Sequence, residues 1–186
     1  MGKVNPDSYC GIYCAACSIH MHGATGRADG FVACLGGVPK GEIACDGCKS
    51  EVLYAGCRIC PFRDCSVKKG IAHCVECADY PCKKYKQWKS AARFLPHVGE
   101  AALSLEGIKR DGVDGWLEAQ QKRWSCPDCG EPFSWYAAEC GKCGRRLAPA
   151  AYEISGWRKL LCRFWIRLGY RMGKAKEPGA SRKPVE

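Results

Sequence analysis

Residues Cys45 to Cys82 read CDGCKSEVLYAGCRICPFRDCSVKKGIAHCVECADYPC, and eight of these 38 residues are cysteines. The whole chain of 186 residues contains 17 cysteines, close to the proportion that marks a cysteine framework. An ordinary apolar core does not use thiols at this density. We therefore expect the chain to be organised around cysteine ligands.

The start of the sequence carries no sign of export. It reads MGKVNPDSYCG, without the apolar segment of a secretory signal, and the chain has no run of about 18 apolar residues that would predict a membrane span. In the reducing cytoplasm thiols bind metal ions rather than pair as disulfides. The sequence therefore predicts a cytoplasmic protein with cysteine-bound metal.

The spacing of the central cysteines allows two four-sulfur sites, although interleaved groupings are equally allowed. Zinc and a [4Fe-4S] cluster both accept such a shell. The tight C-x₂-C-x₂-C-x₃-C-P run of ferredoxins is absent, which favours zinc. His73 adjoins Cys74 and is an alternative ligand, or a neighbour of one. The natural division is Cys45, Cys48, Cys57 and Cys60 for one site, and Cys65, Cys74, Cys77 and Cys82 for the other.

The N-terminal segment SYCGIYCAAC adds three cysteines with the C-x₃-C-x₂-C spacing by which radical-SAM enzymes hold an open cluster. That chemistry needs a partial barrel of about 200 residues, and the chain has no such βα repeat. We therefore predict a closed third site instead, and no catalytic residue. Its ligands are Cys10, Cys14, Cys17 and Cys34, with His20 and His22 as alternatives.

The most specific pattern is a pair of CxxC motifs separated by ten residues: Cys126, Cys129, Cys140 and Cys143. Four such sulfurs can surround one zinc ion as a closed tetrahedral shell, which resembles a zinc ribbon. Gly130 and Gly144 follow the two motifs and permit the turned backbone that the ligands need. Trp135 and Tyr136 lie between the motifs, where they either cover a small core or stack on a partner or on nucleic-acid bases.

Positive charge is concentrated at the C-terminus. Each four-cysteine site with a divalent ion contributes a net charge of about −2, so four sites reduce the formal charge of +10 to about +2. Residues 1–144 carry 18 Lys/Arg and 16 Asp/Glu, whereas residues 145–186 carry 11 and 3. The overall charge therefore does not predict nucleic-acid binding, which has only weak support here.

A basic amphipathic helix is predicted within residues 149–173. Arginine and lysine occupy the positions between its apolar residues. The apolar face either docks on the chain's own domain or binds a protein partner or an anionic membrane surface. Cys162 completes no pair and is predicted to be a small buried residue. The apolar residues are Trp157, Leu160, Leu161, Phe164, Trp165 and Leu168.

The expected fold is a small α+β protein stapled by metal: an α-rich cysteine-rich domain with irregular loops, then a β-hairpin zinc ribbon and the basic helix. Helices are predicted from Tyr85 to Phe94, from Gly99 to Ile108 and from Val113 to Trp124. The predicted divisions are a cysteine-rich domain (1–95), a helical connector (96–125), the ribbon (126–148), the basic helix (149–173) and a disordered tail (174–186).

The ordered motifs YCGIYCAAC, CDGCKS, GCRICPFRDC and HCVECADYPCKKY resemble a cysteine-rich family of bacteria and archaea, domain of unknown function 3795. The resemblance covers about residues 8–95. It implies cysteine-ligated metal in a cytosolic setting, frequently in anaerobes. The resemblance offers no established activity that could be carried over to this chain. Some members carry a similar segment to GVDGWLEAQQKRWSCPDCG, a helix that leads into a ribbon.

Two functional hypotheses follow from these patterns. The first is a non-enzymatic zinc-binding adaptor or regulator, because the sites are closed and no nucleophile–base pair or paired carboxylates have a recognisable context. The alternative is an iron–sulfur electron-transfer or accessory protein of an anaerobic enzyme system, with [4Fe-4S] in the N-terminal domain.

Overall fold

The computed structural model describes residues 4–147, 152–154 and 156–176. Its regular structure is helical, as expected for an α-rich cysteine-rich protein, and most of the helices are short. The helices are α1 (Ser18–Thr25), α2 (Ala55–Arg58), α3 (Pro61–Lys69), α4 (Lys83–Lys89), α5 (Pro96–Gly99), α6 (Ala101–Arg123) and α7 (Gly156–Ala175).

Single 3₁₀ turns fill much of the space between these helices, and two of them are built on CxxC motifs. The turn Cys14–Ala16 ends where the Cys17 N–H donates to the Cys14 carbonyl, and Cys74–Glu76 ends in the same way at Cys77. A CxxC sequence forms such a turn because one i→i+3 hydrogen bond brings its two thiols to the same side of the backbone. The cysteine spacing therefore sets local structure as well as ligand placement.

The longest helix, α6, covers both of the helices predicted between residues 99 and 124. Gly112 breaks it with a φ of 75° and a ψ of 171°, a conformation that glycine adopts without steric cost. The two halves pack Leu105 and Trp116 into one apolar cluster with Tyr85 of α4. The predicted helical connector is thus part of the core.

The predicted β-hairpin zinc ribbon is wrong. Residues 124–147 contain no strand, only two isolated antiparallel bridges, Ser125 with Pro132 and Glu139 with Arg146. Each bridge closes the turn of its own CxxC motif. Pro132 has no N–H with which to continue a ladder, and the chain then turns inward to bury Phe133 and Trp135. A hairpin ladder would leave these aromatic side chains on a surface.

Three apolar clusters make up the core of the described residues. One joins Trp124, Phe133 and Trp135 to Ala16 near the N-terminus and to Cys162 of α7. The second surrounds α1 and the loop to Tyr54, and the third surrounds α4 and α6. Because the first cluster draws on both ends of the chain, the C-terminal cysteines and the N-terminal segment share one core.

Helix α7 docks on the rest of the molecule through small side chains together with Ile166 and Tyr170. Cys162 and Gly173 are buried, and a Cβ on Gly173 would overlap the carbonyl oxygen of Ala55 in α2. Arg167 Nε donates to the Gly36 carbonyl at 2.8 Å, which ties the helix to the loop after α1. The chain's own domain therefore occupies one face of α7, and that face is not the one with the exposed large apolar residues.

The structure describes only the first residues of the predicted disordered tail. Residues 177–186 of the predicted disordered tail lie outside the described residues, while Lys174 and Ala175 belong to α7.

Within the part of the chain that the structure describes, no helix combines the length and the apolarity needed to cross a bilayer.

Candidate metal centres

The C-terminal cysteine cluster, formed by Cys126, Cys129, Cys140 and Cys143, is able to hold a metal ion. Its four sulfurs all lie within 4.8 Å of one another. The Sγ atoms of Cys126 and Cys143 are 3.6 Å apart, and those of Cys129 and Cys140 are 3.5 Å apart. Four sulfurs bound tetrahedrally at about 2.3 Å from one zinc ion would be separated by roughly 3.8 Å. The cluster therefore has nearly the dimensions of a closed shell.

The backbone around this cluster holds the thiols in place. Gly130 and Gly144, which follow the two motifs, have φ angles of 71° and 74°, as the sequence predicted for the turned backbone. Backbone N–H groups of Cys143 and Lys142 donate to the Cys140 sulfur and lower the pKa of that thiol to about 6. A thiol that is deprotonated near neutral pH is a ready metal ligand.

The aromatic residues between the two motifs face inward. Trp135 and Tyr136 are buried, and Trp135 stacks on His97 with ring centroids 4.3 Å apart. The backbone N–H of Trp135 donates to the backbone carbonyl of Ala16 at 3.1 Å. These rings therefore cover the core, one of the two roles predicted for them, and present no stacking surface to a nucleic acid.

The seven cysteines nearest the N-terminus, apart from Cys34, line one cleft, which we call the thiol cleft. Its volume is about 350 Å³, and its walls include apolar side chains such as Trp88, Trp135 and Trp165. All four ligands of the first predicted central site therefore share this cleft with three of the four ligands of the predicted N-terminal site. These seven are Cys10, Cys14, Cys17, Cys45, Cys48, Cys57 and Cys60, and Cys162 of α7 also lines the cleft.

Burial raises the pKa of four of these seven thiols. It raises the pKa of Cys17 to about 12 and that of Cys48 to about 11, and it raises the pKa of Cys10 and Cys14 as well. The pKa of Cys45 instead falls to about 6, and that of Cys57 rises, because the Cys57 thiol donates a hydrogen bond to Cys45. Thiols that resist ionisation in an apolar cleft become thiolates when a cation is bound among them.

The other central cysteines, Cys65, Cys74, Cys77 and Cys82, share a separate pocket of about 270 Å³. This second cysteine pocket lies beside α3 and α4. Lys69 Nζ donates to the Cys77 sulfur at 3.0 Å and to Asp79 at 2.7 Å. The structure thus collects the four cysteines of one predicted site in one place.

The three regions differ in how tightly their sulfurs are drawn together. Among the described residues, only the C-terminal cysteine cluster has three or more candidate ligand atoms that all lie within 4.8 Å of one another. The thiol cleft and the second cysteine pocket are wider. All seventeen cysteines are free thiols in the structure.

Cys34 lies apart from the other N-terminal cysteines. It is fully buried beside Cys162 of α7, and its Sγ donates to the Gly30 carbonyl at 3.4 Å. Cys162 is likewise fully buried, as expected for a small core residue. The structure therefore places Cys34 next to a cysteine that had no predicted partner, and does not place it on the thiol cleft.

The three candidate histidines have different surroundings. His73 is buried with both ring nitrogens on carboxylates: Nε2 lies 2.9 Å from Asp7 and Nδ1 lies 2.9 Å from Glu76. The hydrogen bond to Asp7 raises the His73 pKa. Both nitrogens are therefore occupied, and His73 joins the N-terminal segment to the turn at Cys74. Sequence reasoning missed Asp7, because no local pattern marks a partner 66 residues away.

His20 and His22 both hold their Nδ1 atoms on backbone carbonyls. His20 Nδ1 lies 2.8 Å from the Cys45 oxygen, and His22 Nδ1 lies 2.9 Å from the Arg27 oxygen. Only His20 lines the thiol cleft. The two residues are on the same helix, α1, so their difference in position follows from the helical rotation between i and i+2.

These features define a cysteine-rich protein with one four-cysteine cluster able to hold metal. Residues 7–87 match the model of a family described as "Protein of unknown function (DUF3795)". This segment contains the second cysteine pocket and the seven N-terminal cysteines that line the thiol cleft, and the match supports the resemblance drawn from the cysteine motifs. The C-terminal cysteine cluster lies beyond it. No curated protein and no solved structure matches the chain.

Proposed function

We propose that this protein is a non-enzymatic metal-binding adaptor that attaches to an anionic membrane surface through α7. The observation that carries the proposal is the exposed apolar face of α7, which remains in water although the helix is docked. Leu160 is 68 % exposed, and Phe164 is 60 % exposed. The members of this face are Trp157, Leu160, Leu161, Phe164, Trp165, Leu168 and Met172.

The charge of α7 suits an anionic surface. The helix contains six Lys/Arg residues and no Asp or Glu. Lys159, Arg163 and Arg171 are exposed, and the helical repeat places Arg163 between the docked side and the apolar side. A helix with an exposed apolar face beside a basic one lies in the headgroup region, with its apolar side chains inserted.

The two faces act together on a bilayer. Burying one large apolar side chain contributes about 1.5–3 kcal/mol, and a basic residue near an anionic surface contributes about 1 kcal/mol. Seven apolar and several basic side chains can therefore offset the loss of freedom on binding. A zwitterionic surface supplies only the apolar part of this energy.

The metal centres give the adaptor its rigidity. Helix α7 packs on α2, the short helix that contains Cys57 of the thiol cleft. A metal ion bound to Cys57 would therefore stiffen the platform on which α7 rests. Zinc in the C-terminal cysteine cluster would do the same for the core shared with Cys162.

Vesicle sedimentation tests the attachment. The full chain should sediment with vesicles of phosphatidylglycerol and phosphatidylcholine at low salt, and far less with vesicles of phosphatidylcholine alone. Replacing Leu160 and Phe164 together by serine should lower the partition coefficient roughly tenfold or more, because two inserting side chains are lost. The R163Q/R171Q variant should lower it and weaken its salt dependence.

Leu103→Ser is the matched control, because Leu103 is 74 % exposed and belongs to a different helix, α6. It should sediment as the unmodified chain does. Absence of sedimentation of the unmodified chain at low salt would contradict the proposal and point to a protein partner. Equal loss in L160S/F164S and L103S would also contradict it.

The thiol cleft favours a second candidate, an iron–sulfur electron-transfer or accessory protein. Eight thiols around about 350 Å³ offer more sulfur and more space than a single ion requires. Chain purified without oxygen should then contain iron and acid-labile sulfide and absorb visible light. A colourless preparation that contains only zinc would exclude this candidate.

A further inference from the structure

We propose that the thiol cleft binds an iron–sulfur cluster, that His20 is one of its ligands, and that the Tyr54 hydroxyl donates a hydrogen bond to it. The cleft would then differ from the C-terminal cysteine cluster in the kind of metal centre and in the types of ligand. The inference rests on the second candidate above, the iron–sulfur protein, and not on membrane attachment.

The spacing of candidate ligand atoms distinguishes the thiol cleft from the C-terminal cysteine cluster. In the C-terminal cysteine cluster two pairs of sulfurs are 3.5 and 3.6 Å apart, close to their separation around one tetrahedral ion. In the thiol cleft no three candidate ligand atoms of the described residues all lie within 4.8 Å of one another. The iron atoms of a cluster each take their own protein ligands, so these ligands stand farther apart than around a single ion. The thiol cleft therefore fits a cluster better than a single ion.

The walls of the thiol cleft supply both sulfur and apolar cover. Eight thiols line a volume of about 350 Å³, and thiolates are the usual ligands of cluster iron. Apolar side chains complete the walls, and Trp88, Trp165 and Ile166 are among them. An apolar shell limits the access of water to a metal centre, so the cleft can hold a cluster away from solvent.

His20 is oriented as a metal ligand. It lines the thiol cleft, and its Nδ1 lies 2.8 Å from the backbone carbonyl oxygen of Cys45. A carbonyl oxygen only accepts hydrogen bonds, so Nδ1 carries the proton, and Nε2 of the neutral ring has a free lone pair. Ligating histidines are commonly held in this way, by a hydrogen bond from the nitrogen that does not bind the metal. The anchoring carbonyl here belongs to another residue of the cleft.

An unpartnered hydroxyl independently indicates a bound group. Tyr54 is 6 % exposed and lines the thiol cleft, and its hydroxyl is buried without a hydrogen-bond partner among the described residues. A buried hydroxyl without a partner is costly. Tyr54 is held next to Cys57, whose backbone N–H donates to the Tyr54 carbonyl at 2.8 Å. A sulfur atom of a bound cluster would accept the hydrogen bond of the hydroxyl and remove this cost.

Iron and sulfide counts in histidine variants test the ligand. The full chain, purified without oxygen, should contain iron and acid-labile sulfide, which a single iron ion does not carry. His20→Gln should lower the sulfide bound per chain by about twofold or more, because one ligand is lost, and His20→Cys should restore it through a thiolate. His22→Gln is the matched control, because His22 has the same kind of Nδ1–carbonyl contact on the same helix but does not line the cleft.

A spectroscopic measurement separates ligation from a structural role of His20. In the reduced chain, electron paramagnetic resonance should detect coupling between the unpaired electron of the cluster and a histidine nitrogen, which isotopic labelling of histidine identifies. The coupling should be absent from H20C and present in H22Q. Where the reduced chain gives no resonance signal, the sulfide counts decide.

Tyr54→Phe tests the hydroxyl while keeping the ring. The variant should lose iron to a chelator roughly tenfold faster than the unmodified chain, because a hydrogen bond to the centre is lost. Tyr170→Phe is the matched control, because the Tyr170 ring stacks on Tyr54 but its hydroxyl donates to Glu42 at 2.8 Å. Equal rates of iron loss in the two variants would contradict the role of Tyr54.

The results that overturn the proposal separate it from the proposed function. A chain that contains only zinc would exclude the cluster and, with it, the second candidate. A chain with iron and sulfide in which H20Q and H22Q retain equal amounts would exclude His20 as a ligand and leave the iron–sulfur candidate standing. Vesicle sedimentation of the unmodified chain depends on neither result, so membrane attachment fails separately.

Discussion

His97 shows how a single residue can be held in one protonation state by its surroundings. Its ring stacks on Trp135, lies edge-on to Phe31 at 6.0 Å, and shares a 2.7 Å hydrogen bond between Nδ1 and the Tyr136 hydroxyl. Burial among these rings lowers the His97 pKa from 6.5 to about 3. The folded chain therefore keeps this imidazole neutral throughout the physiological range.

This shift predicts a dependence of stability on pH. The folded pKa lies below the unfolded value of about 6.5, so the contribution is complete above pH 6.5 and is lost as the pH falls below it. At about pH 5.5 the unmodified chain should have lost about 1.4 kcal/mol through this group. Denaturant unfolding of the unmodified chain and of H97Q, compared between about pH 7.5 and pH 5.5, measures the difference.

His97→Gln removes the titrating group while leaving the cysteines unchanged. Acid also protonates thiolates, and this affects both chains equally, so only the difference between them reports on His97. A gap between the two unfolding free energies that stays constant over this pH range would contradict the prediction.

Helix α7 is informative at the scale of a secondary-structure element. Its helical spacing is evident from the sequence, but the sequence suggested that the large apolar residues either pack on the domain or bind a partner. In the structure the docked side combines small residues, Cys162, Gly169 and Gly173, with Ile166 and Tyr170, which pack against the apolar clusters. The backbones of α7 and α2 approach so closely that only a residue without a side chain fits at Gly173.

Two glycines of α7 allow a matched prediction. Gly173→Ala should lower the free energy of unfolding by about 1–3 kcal/mol, because the added methyl overlaps the Ala55 carbonyl oxygen. Gly169→Ala meets no atom within 4 Å and should raise it by about 0.5–1 kcal/mol through helix propensity. Denaturant titration of both variants measures these shifts.

The prediction depends on which of the two variants has the lower free energy of unfolding. If G173A were as stable as G169A, α7 would not be docked on α2 as described. Hydrogen exchange would add the location of the change. G173A should increase exchange in α7 more than in α6, because the added methyl disturbs only the packing of α7 on α2.

At the scale of the whole molecule, cysteine-rich turns stand where a larger protein would have an extended apolar core. The thiol cleft lies among the three apolar clusters, and α7 forms one of its walls. The C-terminal cysteine cluster shares a core with residues near the N-terminus. Loss of metal in one region should therefore loosen neighbouring regions, since few elements pack independently.

The C-terminal cysteine cluster was the part most open to prediction. Its four ligands belong to two short turns with a short link, so local spacing nearly determines that the sulfurs meet. The expectation of a β-hairpin failed because local spacing does not determine where the linking aromatic residues go. Phe133, Trp135 and Tyr136 gain more by burial against distant residues than by pairing as strands.

The sequence by itself determined the helical character, the turns at the CxxC motifs, the cysteine-rich family match and the amphipathic pattern of α7, because each depends on residues only a few positions apart. Only the tertiary structure decided that Cys34 lies beside Cys162, that eight cysteines share one cleft, and that Gly173 of α7 packs directly against α2. These outcomes depend on how closely distant backbones can approach. Side-chain volume and burial set that distance, and no spacing along the chain encodes it.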